Sequence, residues 1–461
     1  MEATFVVVGG GIAGVTCAET LAFLEPQEKI ILISNSSLIK TVTNLHSITR
    51  TLTDFDIEET ESSNLSKKYL NILVLHEILV EIDDDEHYVI TSVHKIKYKF
   101  VCLCMGAEPK LIPQSSVFPQ ILGIRDTDSV KKFVEQLQTS KKIVIVGNGG
   151  IASELVFKVT NVEVHWVIRD KHITATFVDP GAAEFFQSML NKTSSEEVVS
   201  KRMRYNEDDF KKSGAALGPD WYKNLIISGN KKCNSSSKIM IHYETEIIQV
   251  NSLENAEYPI EVTLSNNEKI SCDLVVSATG VVPRSNFVTK HQFNKSEDGG
   301  IQVNEFMQTS VKDVYAAGDI CSVNWTLAKH WFQMKLWTQA RQMGCYAAKS
   351  MVGHLRNEVV LQDFCFELFA HSTKLFGYKV ILLGLYNGQK LGTNYEILLR
   401  MTKGKEYIKF VLEDNKLQGA VLIGDTDLEE TCENLILNQL DLSQYGDDIL
   451  NPDIDIEDYF D

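Results

Sequence analysis

A strand that stops at a run of glycines and restarts as a helix occurs twice in this chain, and that duplicated unit constrains the fold more than any other feature. Residues 5–8 are a β-branched apolar run, Gly9-Gly10-Gly11 break it, and apolar spacing over residues 12–24 predicts a helix before a second strand at 30–33. The pattern returns with a strand at 143–146, Gly147-Asn148-Gly149-Gly150, a helix from Ile151 to about Val159 and a strand at 162–168. Each copy reads as a βαβ unit, so the chain encodes two Rossmann-like dinucleotide folds.

The first turn is Gly9-x-Gly11-x-x-Gly14, with Ile12 and Ala13 opening the helix. Glycines there permit a tight turn and close approach of backbone to a pyrophosphate, whose charge the helix N-terminus stabilises. The acidic residue expected after the second strand to hold an adenosine ribose is replaced by Ser34 and Asn35, which retain hydrogen-bonding capacity. The second turn reads Gly147-x-Gly149-Gly150-Ile151-Ala152-Ser153-Glu154, with a small alanine in place of the third glycine. After its second strand come Ile168 and Arg169, so the carboxylate that prefers NAD is absent and Arg169 is available to a 2′-phosphate. Arg169 reads almost as well as a plain surface cation, which leaves NADH and NADPH both open.

At 461 residues the chain is long enough for about three domains at roughly 150 residues each. Lys and Arg number 45 against 62 Asp and Glu, a net charge of −17 that argues against direct nucleic-acid or anionic-membrane binding. No uninterrupted apolar run reaches membrane-spanning length, and Met1 is followed at once by the first strand, which leaves no room for a targeting leader. Nine scattered cysteines without metal-ligand spacing fit a reducing compartment, cytosol or nucleus, and suggest no metal site. Residues from about 190 to 238 turn polar and read as a mobile insertion. Residues 359–446 combine strands with a helical stretch near 428–440, and residues 447–461 hold seven acids and read as a solvated tail.

Further segments resemble the pyridine nucleotide–disulphide oxidoreductase superfamily. Cys104-Met105-Gly106-Ala107-x-Pro109 and Ser277-Ala278-Thr279-Gly280-Val281-x-Pro283 are similar to its two strand-ending turns, and Val314-Tyr315-Ala316-Ala317-Gly318-Asp319 resembles its second flavin signature. The resemblance implies an α/β protein with FAD and NAD(P)H as cofactors. Its FAD domain would be residues 1–120 and 270–355, split by an NAD(P) domain at 121–269, with a C-terminal α+β domain at 359–446. It assigns Lys40, Met105, Gly106, Gly280 and Asp319 to the cofactor sites, Asp319 on the ribityl chain, and leaves a homodimer open. The helix from Trp337 would aim its N-terminal dipole at the flavin ring.

Departures from that pattern bear on the reaction. The superfamily's disulphide reductases carry Cys-x4-Cys after the first βαβ unit or Cys-x-x-Cys in the nucleotide domain, and neither occurs; the first region reads Leu38-Ile39-Lys40-Thr41-Val42-Thr43-Asn44. Cys102 and Cys104 share one face of a strand and read as apolar core. The C-terminal His and Glu dyad of dithiol exchange is missing near Glu429, and His371 reads as structural. No catalytic side chain is therefore assigned. Long stretches, including residues 122–128, 216–221 and 425–461, resemble an animal branch of the superfamily. That likeness implies a nuclear and cytoplasmic FAD protein that shields a tRNA-splicing ligase complex from oxidative inactivation when NAD(P)H is present. Two readings remain: an NAD(P)H oxidoreductase with an unidentified acceptor, or an NAD(P)H-gated flavoprotein that mainly binds a partner.

Overall fold

The computed structural model describes residues 1–190, 198–203, 238–254 and 256–451. The chain forms two compact units. One comprises Met1–Ser47, Thr53–Glu108 and Val282–Glu367; the other comprises Ile48–Leu52, Pro109–Val281 and Leu368–Asp461.

In the first unit, Glu2–Val8 lies parallel between Ile30–Ser34 and Lys95–Leu103, with Ile72–His76 beyond Ile30–Ser34. These strands are apolar along nearly their whole length because both faces of a parallel sheet are covered, and Phe5, Val6, Val7, Ile31 and Leu32 are fully buried. Lys95–Leu103 changes partner midway. Its start pairs antiparallel with Tyr88–Thr91, and residues 101–103 pair parallel with Val314–Ala316. The helices Ile12–Leu24 and Trp337–Arg356 cross in backbone contact, for a Cβ on Gly344 would lie 2.2 Å from the Ala13 carbonyl oxygen.

The second unit holds a five-stranded parallel sheet in the order Ile121–Gly123, Leu274–Ser277, Lys142–Val146, Glu163–Val167, Ile239–His242. Leu274–Ser277 sits inside this sheet, hydrogen-bonded on both sides, so residues 270–281 belong to the nucleotide domain rather than to the flavin domain expected from sequence. Residues 109–120 move with them: Lys110 N–H donates to the Gly280 carbonyl (2.8 Å) and Ile112 N–H to Ser277 Oγ (3.1 Å). The same unit contains a six-stranded antiparallel sheet in the order Val198–Met203, Glu396–Thr402, Glu406–Glu413, Lys416–Ile423, Tyr378–Gly384, Ala370–Leu375, together with helix Glu429–Asn438.

Three further expectations need correction. The polar insertion is not loop throughout, since Val198–Met203 forms the edge strand of the C-terminal sheet, antiparallel to Glu396–Thr402; residues 191–197 and 204–237 lie outside the described residues. The acidic tail begins later than residue 447. Ile449 and Leu450 are buried in the C-terminal core, and Arg400 Nη1 donates to the Leu450 carbonyl at 3.0 Å; residues 452–461 lie outside the described residues. Finally, Ile48–Leu52 belongs to the second unit. Leu52 is fully buried there, and the buried Glu433 carboxylate accepts from the Arg50 and Thr51 amides, each at 3.1 Å, and from the Thr49 and Thr51 hydroxyls.

A buried ion pair ties the nucleotide domain to the C-terminal sheet within this unit. Asp179, just before helix Pro180–Leu190, accepts from the Gly181 and Ala182 amides (2.8 and 3.2 Å) and Tyr407 Oη (3.0 Å), and it pairs with Lys409 on Glu406–Glu413. Lys409 Nζ also donates to Asn387 Oδ1 at 2.7 Å. Burial opposes ionisation of Asp179, but Lys409 wins and holds its carboxyl below the ordinary range. Buried charge is tolerated where every remaining bonding position is filled in this way.

Candidate functional site

The two glycine turns have the same backbone construction. Gly9 and Gly147 both stand at φ 125°, a conformation open to glycine and strained for any L side chain. Each is pressed against the neighbouring strand end. A Cβ on Gly9 would sit 2.2 Å from the Cys104 carbonyl oxygen, and one on Gly147 2.1 Å from that of Ala278. The third small position lets the helix back onto the turn, for a Cβ on Gly14 would fall 1.9 Å from the Gly9 carbonyl oxygen, and its counterpart Ala152 is fully buried. By contrast, among the described residues nothing beyond the adjoining backbone lies within 4 Å of the Cβ position of Gly11, Gly106 or Gly280. These turns therefore have a packed side and an open side, the open side carrying the helix N-terminus. That is the form a dinucleotide pyrophosphate requires.

In the first unit, segments some 300 residues apart converge on Ala13. Gly318, at φ 80°, would place a Cβ 2.9 Å from the Ala13 methyl and 3.6 Å from that of Ala340, so Gly318-Asp319 sits beside the start of helix Ile12–Leu24. The Ala317 amide donates to the Leu103 carbonyl at 2.9 Å, which fixes the signature strand against the strand leading to Met105-Gly106. Lys40 N–H donates to the Gly10 carbonyl at 3.0 Å, bringing the residue beside the turn. Gly9, Gly11, Ile12, Ala13, Gly14, Lys40, Met105, Gly106 and Asp319 are thus brought together. Ser34 is not available in the same sense: its hydroxyl donates to the Ser36 carbonyl (2.8 Å), accepts from the Ser36 amide (3.2 Å), and is buried. Asn35 is exposed at the strand end, its carbonyl bonded to His76 Nε2 at 3.1 Å.

In the second unit, Gly147, Gly149, Gly150 and Ile151 form the turn and helix start, and Glu154 lies half-buried one helical turn on. Sequence reading passed over Asn148, the variable residue of Gly-x-Gly. Its side chain donates to Asp170 Oδ2 (2.8 Å) and the His172 carbonyl (2.9 Å) and accepts from the Thr174 amide (2.6 Å), tying the turn to the segment after the second strand. Trp166 Nε1 donates to the Gly147 carbonyl at 2.7 Å from the strand behind. The signal was a fully bonding amide between two glycines. Arg169 is 72% exposed and lies 3.6 Å from Glu246, a pair too open to hold it firmly.

Four thiols of the first unit are closed off from solvent. Cys17, Cys102, Cys104 and Cys321 are buried in the first unit, with Cys102 and Cys104 Sγ 3.6 Å apart. Burial pushes the Cys17 and Cys321 thiols up, and the Cys102 contact together with burial holds Cys104 well above the ordinary range. Protonated, water-excluded thiols are poor nucleophiles. His371 is fully buried and stacks on Phe177, in keeping with a structural role. Among the described residues, no helix is long and apolar enough to cross a membrane.

Comparison with known proteins agrees with this arrangement. The family model for pyridine nucleotide-disulphide oxidoreductases matches residues 3–208 and 230–344, and that for the rubredoxin NAD+ reductase C-terminal domain matches residues 370–440. Relatives described as pyridine nucleotide-disulfide oxidoreductase domain-containing protein 1 are 51% identical in Drosophila melanogaster, across 99% of both chains, and 48% identical in Homo sapiens, across 99% of this chain and 98% of the relative. Similar solved structures include putidaredoxin reductase in covalent complex with putidaredoxin (TM-score 0.67, 16% identity, 95% of this chain and 94% of the other). Another is reduced Bacillus anthracis CoADR-RHD (TM-score 0.69, 17% identity, 99% and 76%). With matches of this extent and two glycine turns of one construction, the chain belongs to the pyridine nucleotide-disulphide oxidoreductase family, whose members use FAD and NAD(P)H.

Proposed function

We propose that the chain is an NAD(P)H oxidoreductase that passes electrons from its flavin directly to an acceptor outside the polypeptide, with no dithiol between. The observation that carries this reading is the combination of two dinucleotide turns with an open side and the burial of Cys17, Cys102, Cys104 and Cys321 in the first unit, their thiols pushed up by burial and by one another. Residues 9–14 and Asp319 would hold FAD, and residues 147–151 the nicotinamide nucleotide. Bound flavin supplies hydride acceptance; the protein supplies position and a screened, polar setting. The start of helix Trp337–Arg356, close to Gly318 through Ala340, would offer partial positive charge to a flavin held beside Asp319.

The biological use we propose is protection of a tRNA-splicing ligase complex from oxidative inactivation, in nucleus and cytoplasm. Supporting a protein partner, the putidaredoxin reductase relative in fold is itself seen in covalent complex with another protein, putidaredoxin. The net charge of −17 favours contact through a protein over contact with RNA. An anaerobic NADH or NADPH titration followed by visible absorption, then admission of oxygen or a quinone, tests the activity. Full bleaching with rapid reoxidation is expected. Bleaching with slow reoxidation and nucleotide-dependent capture of the ligase complex would instead favour a gated binding protein, and no bleaching would refute both.

A further inference from the structure

Helix Trp337–Arg356 holds its cations in two ways. Lys349 Nζ lies 2.6 Å from Asp363 Oδ2 and Arg356 Nε 2.6 Å from Glu25 Oε1, so each is matched by a carboxylate of the first unit. Half-buried Lys335, just before the helix, meets Asp298 in the same way at 2.6 Å. Arg341 differs. It is half-buried, yet among the described residues no carboxylate pairs with it. What it meets is the buried ring of Phe55, whose centroid lies 5.8 Å from the guanidinium carbon.

A ring face attracts a cation but has no lone pair to accept its hydrogens. Phe55 therefore aims the guanidinium while leaving its charge and N–H groups for another partner. Burial lowers the affinity of Arg341 for a proton, and the groups set against burial are the Cys345 and Cys365 thiols. A guanidinium stays charged through such a shift. A partly desolvated charge that no carboxylate matches is costly to a fold, and the planar fork of an arginine fits a carboxylate or a similar oxyanion.

The place of Arg341 says what that oxyanion belongs to. Ala340 faces Gly318, and Gly344, one turn on, meets Ala13, so that stripe of the helix is turned to the flavin turn. Arg341 lies about 100° round the helix from Ala340 and is turned instead to strand Thr53–Glu61 through Phe55. This strand pairs antiparallel with Leu38–Ser47, which is fixed to the flavin turn: Lys40 N–H donates to the Gly10 carbonyl at 3.0 Å, and an Ile39 methyl lies 3.0 Å from where a Cβ on Gly10 would be. Arg341 thus stands between two elements that flank the flavin turn, beside the stripe that faces Gly318. A cofactor pyrophosphate has no need of it, being the task of backbone at the start of helix Ile12–Leu24.

We propose that Arg341 binds the external electron acceptor, and that this acceptor belongs to the small molecules that carry an anionic group beside a reducible centre. The assignment rests on the reading of the chain as an oxidoreductase with an acceptor outside the polypeptide. For a quinone the balance is hydride from NADH, passed on by way of the flavin, plus one proton from solvent, giving NAD+ and hydroquinone. Arg341 gains and loses nothing in that exchange; it holds the acceptor's anion.

The test uses full-length FAD-loaded protein, reduced anaerobically with NADH and mixed in a stopped flow with naphthoquinone sulfonate or with uncharged naphthoquinone. The dependence of flavin reoxidation on quinone concentration gives an apparent dissociation constant and a limiting rate, and each variant is compared with wild type on the same quinone. Arg341→Met should weaken the sulfonate about tenfold or more, the worth of one charge-assisted hydrogen bond, and leave naphthoquinone within about twofold. Arg341→Lys should keep part of the preference, because it keeps the charge but not the fork. FAD content and the rate of flavin reduction by NADH should not change. Added salt should weaken the sulfonate in wild type and not in Arg341→Met. Should that variant fold poorly, Arg341→Gln and the salt titration of wild type carry the test. Equal weakening of both quinones, or none for the sulfonate, overturns the assignment, and loss of FAD or slower reduction by NADH overturns it too by placing Arg341 in the cofactor site. Photoreduced protein permits the same comparison without NADH, so a flavin that NADH fails to bleach would overturn the oxidoreductase reading while the two quinones still decide the role of Arg341.

Discussion

Replacing Gly9 and, separately, Gly147 by alanine should disable two different cofactor sites, and the backbone says by how much. Both residues stand at φ 125°, which costs an L residue about 1–3 kcal/mol wherever it is enforced. The added methyl would also meet a carbonyl oxygen at 2.2 Å in one case and 2.1 Å in the other, and a backbone carbonyl directly after a sheet strand cannot swing aside as a flexible side chain can. Overpacking of this kind typically costs about 1–3 kcal/mol more. If only about 3 kcal/mol of the total falls on the ligand-competent turn, affinity drops roughly a hundredfold. Gly9→Ala should therefore emerge pale, with a low ratio of flavin to protein absorbance, and should regain colour only at high added FAD. Gly147→Ala should remain yellow with near-stoichiometric FAD yet require far more NAD(P)H to bleach anaerobically. Circular dichroism and thermal melting identify any variant that has lost its fold. If Gly9→Ala retains tightly bound FAD, or if Gly147→Ala loses flavin and Gly9→Ala keeps it, the assignment of the two turns is wrong.

The other expected outcomes concern single side chains. Asp319→Ala should empty the flavin site without unfolding the first unit, checked by flavin content against melting temperature. Arg169→Ala should weaken NADPH roughly tenfold or more relative to NADH, since one charge-assisted hydrogen bond is worth about 1.5–3 kcal/mol; equal weakening would assign Arg169 to the surface with Glu246. Lys409→Met should destabilise the second unit by about 3–5 kcal/mol in urea unfolding by leaving Asp179 charged and buried, and pairing it with Asp179→Asn should restore much of the loss. Glutathione and thioredoxin-type disulphides should turn over negligibly with NAD(P)H; efficient turnover would return attention to Cys102 and Cys104.

The duplicated βαβ pattern was legible because a glycine turn against a sheet leaves chemistry little choice. Where backbone must touch backbone, as at Gly9, Gly14 and Gly147, any other residue is excluded, and the requirement is written in the residue type itself. Domain boundaries were less legible for the opposite reason. Residues 270–281 carry the same apolar strand signal whichever sheet they join, and only their pairing with Ile121–Gly123 and Lys142–Val146 decides. The short excursion of Ile48–Leu52 into the second unit depends on Glu433, nearly 400 residues away, and no local pattern announces it. Ile449 and Leu450 looked like exposed apolar residues in an acidic tail because their partners in the C-terminal core are equally remote.

Recognition by side chains was hidden by the same remoteness. Ser34 retains the capacity to bond a ribose by its residue type and place, but a hydroxyl that can bond locally does so, and Ser36 takes its donor and one of its two acceptor positions. Arg169 reads from sequence as either a phosphate ligand or a plain surface cation, and its loose, exposed pairing with Glu246 leaves both open. Asn148, which carries three hydrogen bonds across the nucleotide turn, was passed over as the variable letter of a motif. A motif of this kind locates the cofactor's phosphates, because they are held by backbone. Preference among nucleotides depends on polar side chains whose other bonds are already made within the protein, so it has to be worked out from which of those bonds a ligand can displace.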